Sequence, residues 1–286
     1  MAGNRGVTAP VVLLTGVPRS GTTLGCHLLN KLPDTVALHE PMDVARFASV
    51  RATGGDAAIV EAVQSFATAQ RASLLTAGTA LSKLVGAAQP DNPVEAAPGS
   101  DGLRGATGRL GQIRFPQLRS AHFTLVIKHN AAFAALLPVL SGHFGMFAMV
   151  RNPLSVLGSW NSTRFPVRDG HAPAAERLDK PLELLLAGAA DRIDRQIALL
   201  GWYFGRFLRH LPRERVLRYE ELIATGGAAL GAFVPAAAAL NERLGDRNRN
   251  ELYDAEFMRE AARRLLKSNG PYWELYRPLD VEAALN

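Results

Sequence analysis

The chain of 286 residues has a single cysteine, Cys26, and lacks any apolar run long enough to cross a membrane. One cysteine excludes a framework of disulfides within the chain and fits a reducing compartment. Residues 1–8 contain one arginine and lack an apolar core, which predicts the absence of a signal peptide. We therefore expect a cytoplasmic protein with no integral membrane segment, in which Cys26 is a packing residue.

The sequence also lacks clustered basic residues interleaved with aromatic residues, the pattern typical of nucleic-acid binding. The 32 Lys and Arg residues outnumber 26 Asp and Glu residues and give a net charge of +6, but the arginines are spread from Arg5 to Arg277. Such an excess favours anionic ligands without identifying them. A phosphorylated co-substrate explains it at least as well as nucleic acid, and we expect no nucleic-acid partner.

A phosphate loop that lacks its usual lysine follows the first apolar run. Gly16 and Gly21 have the spacing of a nucleoside-triphosphate loop, in which backbone N–H groups and a helix N-terminus hold phosphates. A kinase or ATPase would continue with Lys and then Ser or Thr. Here Thr22 and Thr23 stand in those places, and the positive charge lies within the loop as Arg19. The loop is therefore predicted to bind a terminal phosphate group, although it lacks the lysine that would hold a triphosphate.

Short apolar runs alternate with helical patterns along the chain. The runs predict strands at residues 11–14, 36–38, 123–127, 144–150 and 216–219. Helices are expected at 22–32, over most of 44–89 with a break at the Gly pair 54–55, at 153–162, and as one long amphipathic helix over 182–211. Residues 86–111, rich in Gly and Pro, are predicted to form a loop or mobile lid. The alternation predicts a single α/β domain over residues 1–286, with a parallel sheet covered on both faces.

Polar side chains follow four of the predicted strands at the point where each strand ends. Because ligands bind outside the carboxyl ends of parallel strands, these clusters are expected at one edge of the sheet, around the phosphate loop. The four clusters are Pro18-Arg19-Ser20, His39-Glu40, Lys128-His129-Asn130 and Arg151-Asn152.

Two of these segments resemble a known family. Pro18-Arg19-Ser20-Gly21-Thr22-Thr23 resembles the 5′-phosphosulfate-binding loop of sulfotransferases that use 3′-phosphoadenosine 5′-phosphosulfate (PAPS). Met149-Val150-Arg151-Asn152-Pro153, followed by Ser159, resembles the 3′-phosphate-binding strand-loop-helix of that family. The resemblance is clear over roughly residues 10–165. It implies a three-layer P-loop-type fold with about five parallel strands, PAPS as co-substrate, adenosine 3′,5′-bisphosphate as product, and no metal.

The resemblance also implies roles for individual residues. The loop 18–23 would hold the 5′-phosphosulfate through Arg19, backbone N–H groups and the two threonine hydroxyls, while Arg151 and Ser159 would hold the 3′-phosphate. Tyr219 is similar to the family tyrosine near the adenine. Lys267 and Gly270 lie in a segment that resembles the loop closing over the 3′-phosphate.

The reaction needs a base that removes a proton from the acceptor hydroxyl, and cations near the leaving oxygen. Glu40 is the expected base, because sulfotransferases with the same loop carry a glutamate just after the second strand. Lys128 and Arg19 are the expected cations. His129 and His39 remain alternative bases, although His129 directly follows Lys128 and side chains of adjacent strand residues point apart.

Two rival functions remain open. A P-loop kinase of a nucleoside or small metabolite would have the same fold, but its loop would carry a lysine, and its strand 144–150 would often end in an acidic metal ligand, where this chain has Arg151. A non-catalytic nucleotide-dependent scaffold would have no need of Glu40. The acceptor of a sulfotransferase, whether a small molecule, a glycan or a glycolipid, is not indicated by any motif.

Overall fold

A five-stranded parallel sheet forms the centre of the computed structural model, which describes residues 10–285. The predicted absence of a signal peptide in residues 1–8 lies outside the described residues. The strands are β1 (Val11–Gly16), β2 (Thr35–His39), β3 (Thr79–Leu84), β4 (Arg109–Arg114), β5 (Thr124–Lys128), β6 (Gly145–Val150) and β7 (Val216–Arg218). The order in the main sheet is β2-β5-β1-β6-β7, and β3 and β4 form a separate antiparallel hairpin.

Helices cover both faces of the sheet and make it the middle of three layers. They are α1 (Thr22–Leu29), α2 (Phe47–Ala77), α3 (Ala131–Ala135), α4 (Leu137–Leu140), α5 (Pro153–Asn161), α6 (Pro173–Glu176), α7 (Lys180–Ala187), α8 (Arg192–His210), α9 (Tyr219–Ala224), α10 (Ala255–Lys267) and α11 (Pro278–Ala283). This confirms the expected α/β architecture with a central parallel sheet flanked by helices.

Alternate residues of each strand enter two different cores, as the period of two in a strand requires. On β1, Leu13 packs into the core formed with α2, α3, α5 and α8, whereas Leu14 packs into the core formed with α1 and α9. Cys26 is fully buried in the second core, which confirms it as a packing residue. Burying each such leucine contributes roughly 1.5–3 kcal/mol, and the two cores together fix the sheet between its helical layers.

Two predicted helices were wrong in extent. The helical composition of 44–89 holds only for α2, which kinks at Gly55 as expected from the Gly pair, and the chain then turns into strand β3. The single helix predicted over 182–211 is two helices, α7 and α8. Asp191 separates them, because its carboxylate accepts a hydrogen bond from the N–H of Asp194 (3.0 Å) and so begins a new helix.

Residues 86–111, predicted as a loop, are irregular up to Gly108, after which β4 begins and pairs with β3. The irregular part is attached to the body of the protein by backbone hydrogen bonds between Arg104 and the chain just after α5. Among the described residues, no helix is both long and apolar enough to span a membrane.

Candidate active site

The carboxyl ends of the parallel strands line one cavity of about 520 Å³. The pairing of His39 with Lys128 and of Gly16 with Met149 brings the strand ends to the same level at this edge. Each of the four expected polar clusters contributes residues to the cavity wall. Among the expected site residues, the lining contains Pro18, Arg19, Gly21, Thr22, Thr23, Glu40, Lys128, His129, Arg151 and Tyr219.

The phosphate loop passes very close to β6, and this explains its first glycine. The N–H of Val17 donates to the carbonyl of Met149 (3.0 Å), and a Cβ on Gly16 would lie 2.6 Å from that oxygen. Gly21 has a φ of +88°, in the left-handed region that favours glycine, and a Cβ there would lie 2.8 Å from the Tyr219 ring. A side chain at either position would push the loop out of the geometry in which α1 begins.

The loop directs the N-terminus of α1 into the cavity. The first N–H groups of a helix have no carbonyl partner within it, so those of Thr22 and Thr23 are available to an anion. The Thr22 hydroxyl donates to Oδ1 of Asn130 (3.2 Å). Ser20 differs from the expectation, because its N–H donates to Val17 and its hydroxyl donates to the carbonyl of Met149 (2.8 Å). Its polar groups hold the loop on β6 and do not face the cavity.

Three arginines meet beside the phosphate loop, and we refer to Arg19, Arg104 and Arg151 as the arginine cluster. Nε of Arg19 donates to the Ser159 hydroxyl (3.1 Å), and Nη1 of Arg151 donates to the backbone carbonyl of Arg19 (3.1 Å). Arg104 and Arg151 are buried. Burial, and after it the charges of Arg104 and Arg151, lower the pKa of Arg19 to about 10.

The arginine cluster has only neutral partners in the described chain. Arg19 donates to Oδ1 of Asn92 (3.0 Å), Arg104 to the hydroxyl of Ser162 (2.8 Å), and Nε of Arg151 to Oδ1 of Asn248 (2.8 Å). By contrast, other arginines pair with carboxylates, as in the ion pairs of Arg164, Arg206 and Arg264. Neutral oxygens accept hydrogen bonds but leave the charge uncompensated, and the cluster is therefore suited to bind an anion.

Arg104 was missed by sequence reasoning, which assigned residues 86–111 only as a loop or lid. The irregular segment before β4 carries Arg104 to the C-terminal end of α5, where its backbone N–H donates to the carbonyl of Ser162 (3.1 Å). Its Nε is buried without a hydrogen-bond partner in the described chain. The sequence signal was a single basic residue in a Gly- and Pro-rich segment. That signal could not place Arg104, because tertiary contacts determine its position.

The expected adenine-side tyrosine lines the cavity together with a segment that the sequence did not indicate. The guanidinium carbon of Arg151 lies 4.6 Å from the centre of the Tyr219 ring. The Tyr219 hydroxyl accepts a hydrogen bond from the N–H of Arg247 (3.1 Å), and residues 243–245 and 247 line the cavity. Lys267 and Gly270 lie outside it: Lys267 is exposed at the end of α10, and Gly270 packs on the ring of Tyr272.

A second group of charges, which we call the lysine–glutamate cluster, consists of Glu40, Lys83 and Lys128. Nζ of Lys128 donates to Oε1 of Glu40 (2.8 Å), and Nζ of Lys83 donates to Oε2 (2.5 Å). Burial alone would raise the pKa of Glu40, but the positive charges beside it, that of Lys128 first and then that of Lys83, outweigh burial and hold that pKa well below 4.5. Lys83 is the second site residue that the sequence did not indicate, because its strand was assigned as helix.

The two candidate histidines are neutral, and a ring nitrogen of each lies against another polar group. Burial lowers the pKa of His39 to about 2 and that of His129 to about 3. Nε2 of His129 accepts a hydrogen bond from the N–H of Met42 (3.1 Å), so its unprotonated nitrogen is already used. Nδ1 of His39 lies 3.4 Å from Nζ of Lys128. Of the three candidate bases, Glu40, His39 and His129, only Glu40 is ionised near neutral pH.

Comparison with models of known protein families and with curated proteins finds no match for the chain. Within residues 10–285, no group of three or more His, Cys, Asp or Glu side chains is placed to hold a metal ion. The structure is that of an α/β protein with a central parallel sheet. One edge of the sheet carries a phosphate loop, an arginine cluster and a carboxylate that accepts hydrogen bonds from two lysines.

Proposed function

We propose that this protein transfers a sulfuryl group from PAPS to the hydroxyl of an acceptor, which is a small molecule, a glycan or a glycolipid. The observation that carries the proposal is the arginine cluster, whose charge has no carboxylate partner in the described chain. Arg19 and Arg151 of this cluster line the same cavity as Thr22 and Thr23 at the N-terminus of α1. Two separate anion sites in one cavity complement a ligand with two separate anionic groups, and PAPS carries a 5′-phosphosulfate and a 3′-phosphate.

The residues present fit this donor. The N–H groups of Thr22 and Thr23 would hold the 5′-phosphosulfate at the N-terminus of α1. The arginine cluster, oriented by Ser159, would hold the 3′-phosphate, with Arg151 able to donate two parallel hydrogen bonds. Tyr219 and residues 243–247 would border the adenosine. Arg19, expected from the resemblance at the phosphosulfate, has its guanidinium on Ser159 and so supports the 3′-phosphate instead.

The lysine–glutamate cluster supports the chemical step. The O–H bond of the acceptor breaks while its oxygen forms a bond to sulfur, and the bond from sulfur to the bridging oxygen breaks in line with it. The proton passes to the carboxylate of Glu40. The ammonium of Lys128 offsets the negative charge that develops on the bridging oxygen as adenosine 3′,5′-bisphosphate leaves. Because both histidines are neutral and hydrogen-bonded elsewhere or buried, Glu40 is the preferred base.

Thermal unfolding with different nucleotides tests the proposal against the kinase alternative. Adenosine 3′,5′-bisphosphate, at about 100 times its dissociation constant and without added metal, should stabilise the protein by about 2.7 kcal/mol. This corresponds to a rise in melting temperature of about 4–5 °C for a chain of this size. ATP with magnesium should give a much smaller rise. A large rise with Mg-ATP and none with adenosine 3′,5′-bisphosphate would favour the kinase.

Turnover is the complementary test. Labelled PAPS incubated with the protein and an extract of hydroxyl-bearing metabolites should yield acceptors that gain one SO₃, detected by mass spectrometry. The same incubation with the Glu40→Gln variant should yield none.

A further inference from the structure

The two lysines on Glu40 are held very differently. Lys128 is 2% exposed and ends β5, which lies inside the main sheet between β1 and β2. Lys83 is 40% exposed and stands on β3, in the hairpin outside the main sheet. A buried lysine on a central strand has little freedom to leave its partner, whereas an exposed one on a peripheral hairpin can exchange its partner for another anion at little cost.

Glu40 itself needs to be held in place. It has a φ of +45°, one of three positive φ values on non-glycine residues in the described chain. Its N–H donates to the carbonyl of Lys128 (2.9 Å), which fixes the backbone in this strained conformation. The carboxylate then depends on side-chain contacts for its direction, and each of its two oxygens accepts a hydrogen bond from one ammonium.

The other titratable groups near Glu40 add no charge to that of the two lysines. His39 and His129 are neutral because burial lowers their pKa values. Burial raises the pKa values of Tyr203 on α8 and Cys26 on α1, which leaves both protonated. The two lysines therefore supply the positive charge that acts on the carboxylate.

We propose that Lys83 is a positioning residue with two effects on Glu40. Its ammonium fixes the direction of the carboxylate, and it disfavours protonation of that carboxylate until another anion binds the ammonium instead. The inference rests on the proposed role of Glu40 as base. In the free protein each carboxylate oxygen accepts a hydrogen bond from one ammonium, and these bonds stabilise the ionised form and lower its affinity for a proton. An anionic donor in the same cavity offers Lys83 an alternative partner, because Lys83 lines the cavity. When Lys83 moves to that anion, the carboxylate loses one of its two ammonium partners and its affinity for the proton of the acceptor rises.

The test compares Lys83→Met with the wild type by two measurements. The first is the pKa of the Glu40 carboxyl, from carbon NMR of the donor-free protein. The second is the acid limb of the pH profile of kcat/KM, which reports groups of the free enzyme. Loss of one nearby ammonium should raise the Glu40 pKa by about one unit, and the acid limb should move to higher pH by the same amount. Lys83→Arg should restore the wild-type values.

Lys31→Met is the matched control, since Lys31 is 41% exposed and pairs with Glu242 at 2.6 Å on the surface. It should leave both measurements unchanged. If Lys83→Met leaves the Glu40 pKa at the wild-type value while Glu40→Gln abolishes turnover, the inference about Lys83 is wrong and the proposed function stands. If Glu40→Gln retains turnover, the proposed base is wrong, and the NMR measurement still decides whether Lys83 controls the carboxyl.

Discussion

Two groups of positive side chains at the strand-end edge of the sheet differ in how their charge is balanced. In the arginine cluster, Arg19, Arg104 and Arg151 donate only to neutral oxygens of the described chain. In the lysine–glutamate cluster, the carboxylate of Glu40 is bonded to both Lys83 and Lys128. A charge without a partner favours binding of an external anion, whereas a charge that is already paired must rearrange before it acts. Under the proposed function, the first region would bind the donor and the second would carry out the chemistry.

The largest effect is expected when the Glu40 carboxylate, which separates the two regions in charge balance, is removed. Glu40→Gln keeps the shape but leaves both lysines uncompensated, so the second region becomes like the first. Turnover with PAPS should fall by about 10²–10⁴-fold, because the base is lost. Affinity for adenosine 3′,5′-bisphosphate, measured by calorimetry, should stay within a few-fold or increase. Glu242→Gln, at the surface pair with Lys31, is the control and should keep full turnover.

Removing a guanidinium tests the first region. Arg151→Met should weaken binding of adenosine 3′,5′-bisphosphate by about 10-fold to 100-fold, because a hydrogen bond to a charged group contributes about 1.5–3 kcal/mol. Binding of adenosine 5′-phosphate should change far less. Arg259→Met, at an exposed position on α10, should have no effect on either ligand. Equal losses for both nucleotides would show that Arg151 does not act on the 3′-phosphate.

Acid is expected to act on the lysine–glutamate cluster through His39 and His129, which lie beside Glu40 and Lys128. The pKa of His39 is about 2 in the folded protein and 6.5 when unfolded, and the pKa of His129 is lowered similarly. Below about pH 6.5 the unfolded chain takes up protons that the folded chain does not, so stability falls as the pH falls. Glu40 adds to this loss only below about 4.5, as the pH approaches its lowered pKa.

Each buried histidine should therefore remove up to about 1.4 kcal/mol of unfolding free energy per pH unit between about pH 6 and pH 4. His39→Gln should reduce this slope in urea titrations, whereas His122→Gln, at an exposed position, should leave it unchanged. An identical slope for His39→Gln and the wild type would mean that His39 is protonated in the folded protein.

The smallest expected effect concerns orientation within the arginine cluster. Ser159→Ala removes the hydroxyl that accepts a hydrogen bond from Nε of Arg19 (3.1 Å) without removing any charge. Binding of adenosine 3′,5′-bisphosphate should weaken by only about threefold to tenfold, because the guanidinium keeps its charge and loses one contact that orients it. A loss as large as that of Arg151→Met would mean that the hydroxyl itself is a main ligand.

The sequence predicted the parts of the site that stand at the ends of strands. Arg151 and Lys128 each follow a short apolar run, and the order of parallel strands brings such positions together whatever the details of the loops. Gly16 and Gly21 could also be predicted from the sequence, because a turn from strand to helix needs glycine at such positions. Gly16 stands where the backbone approaches β6 closely, and Gly21 adopts a positive φ.

The parts that could not be predicted depend on contacts between distant segments. The strand β3 pairs with β4 across about 25 intervening residues, and Ala-rich sequence before it favours helix, so Lys83 was hidden within a predicted helix. Arg104 lies in an irregular segment whose position no periodicity specifies. Residues 243–247 reach the cavity through contacts with Tyr219 and Arg151, whereas Lys267 and Gly270, chosen by resemblance, lie elsewhere.

Calorimetric titration of the wild-type protein with two nucleotides decides whether the arginine cluster binds a 3′-phosphate. Adenosine 3′,5′-bisphosphate and adenosine 5′-phosphate differ only in the phosphate that the arginine cluster would bind. We expect the bisphosphate to bind at least about tenfold more tightly without added metal, because the second phosphate gains charge-assisted hydrogen bonds. Equal affinities for the two nucleotides, or no binding of either, would show that the proposed 3′-phosphate site is wrong.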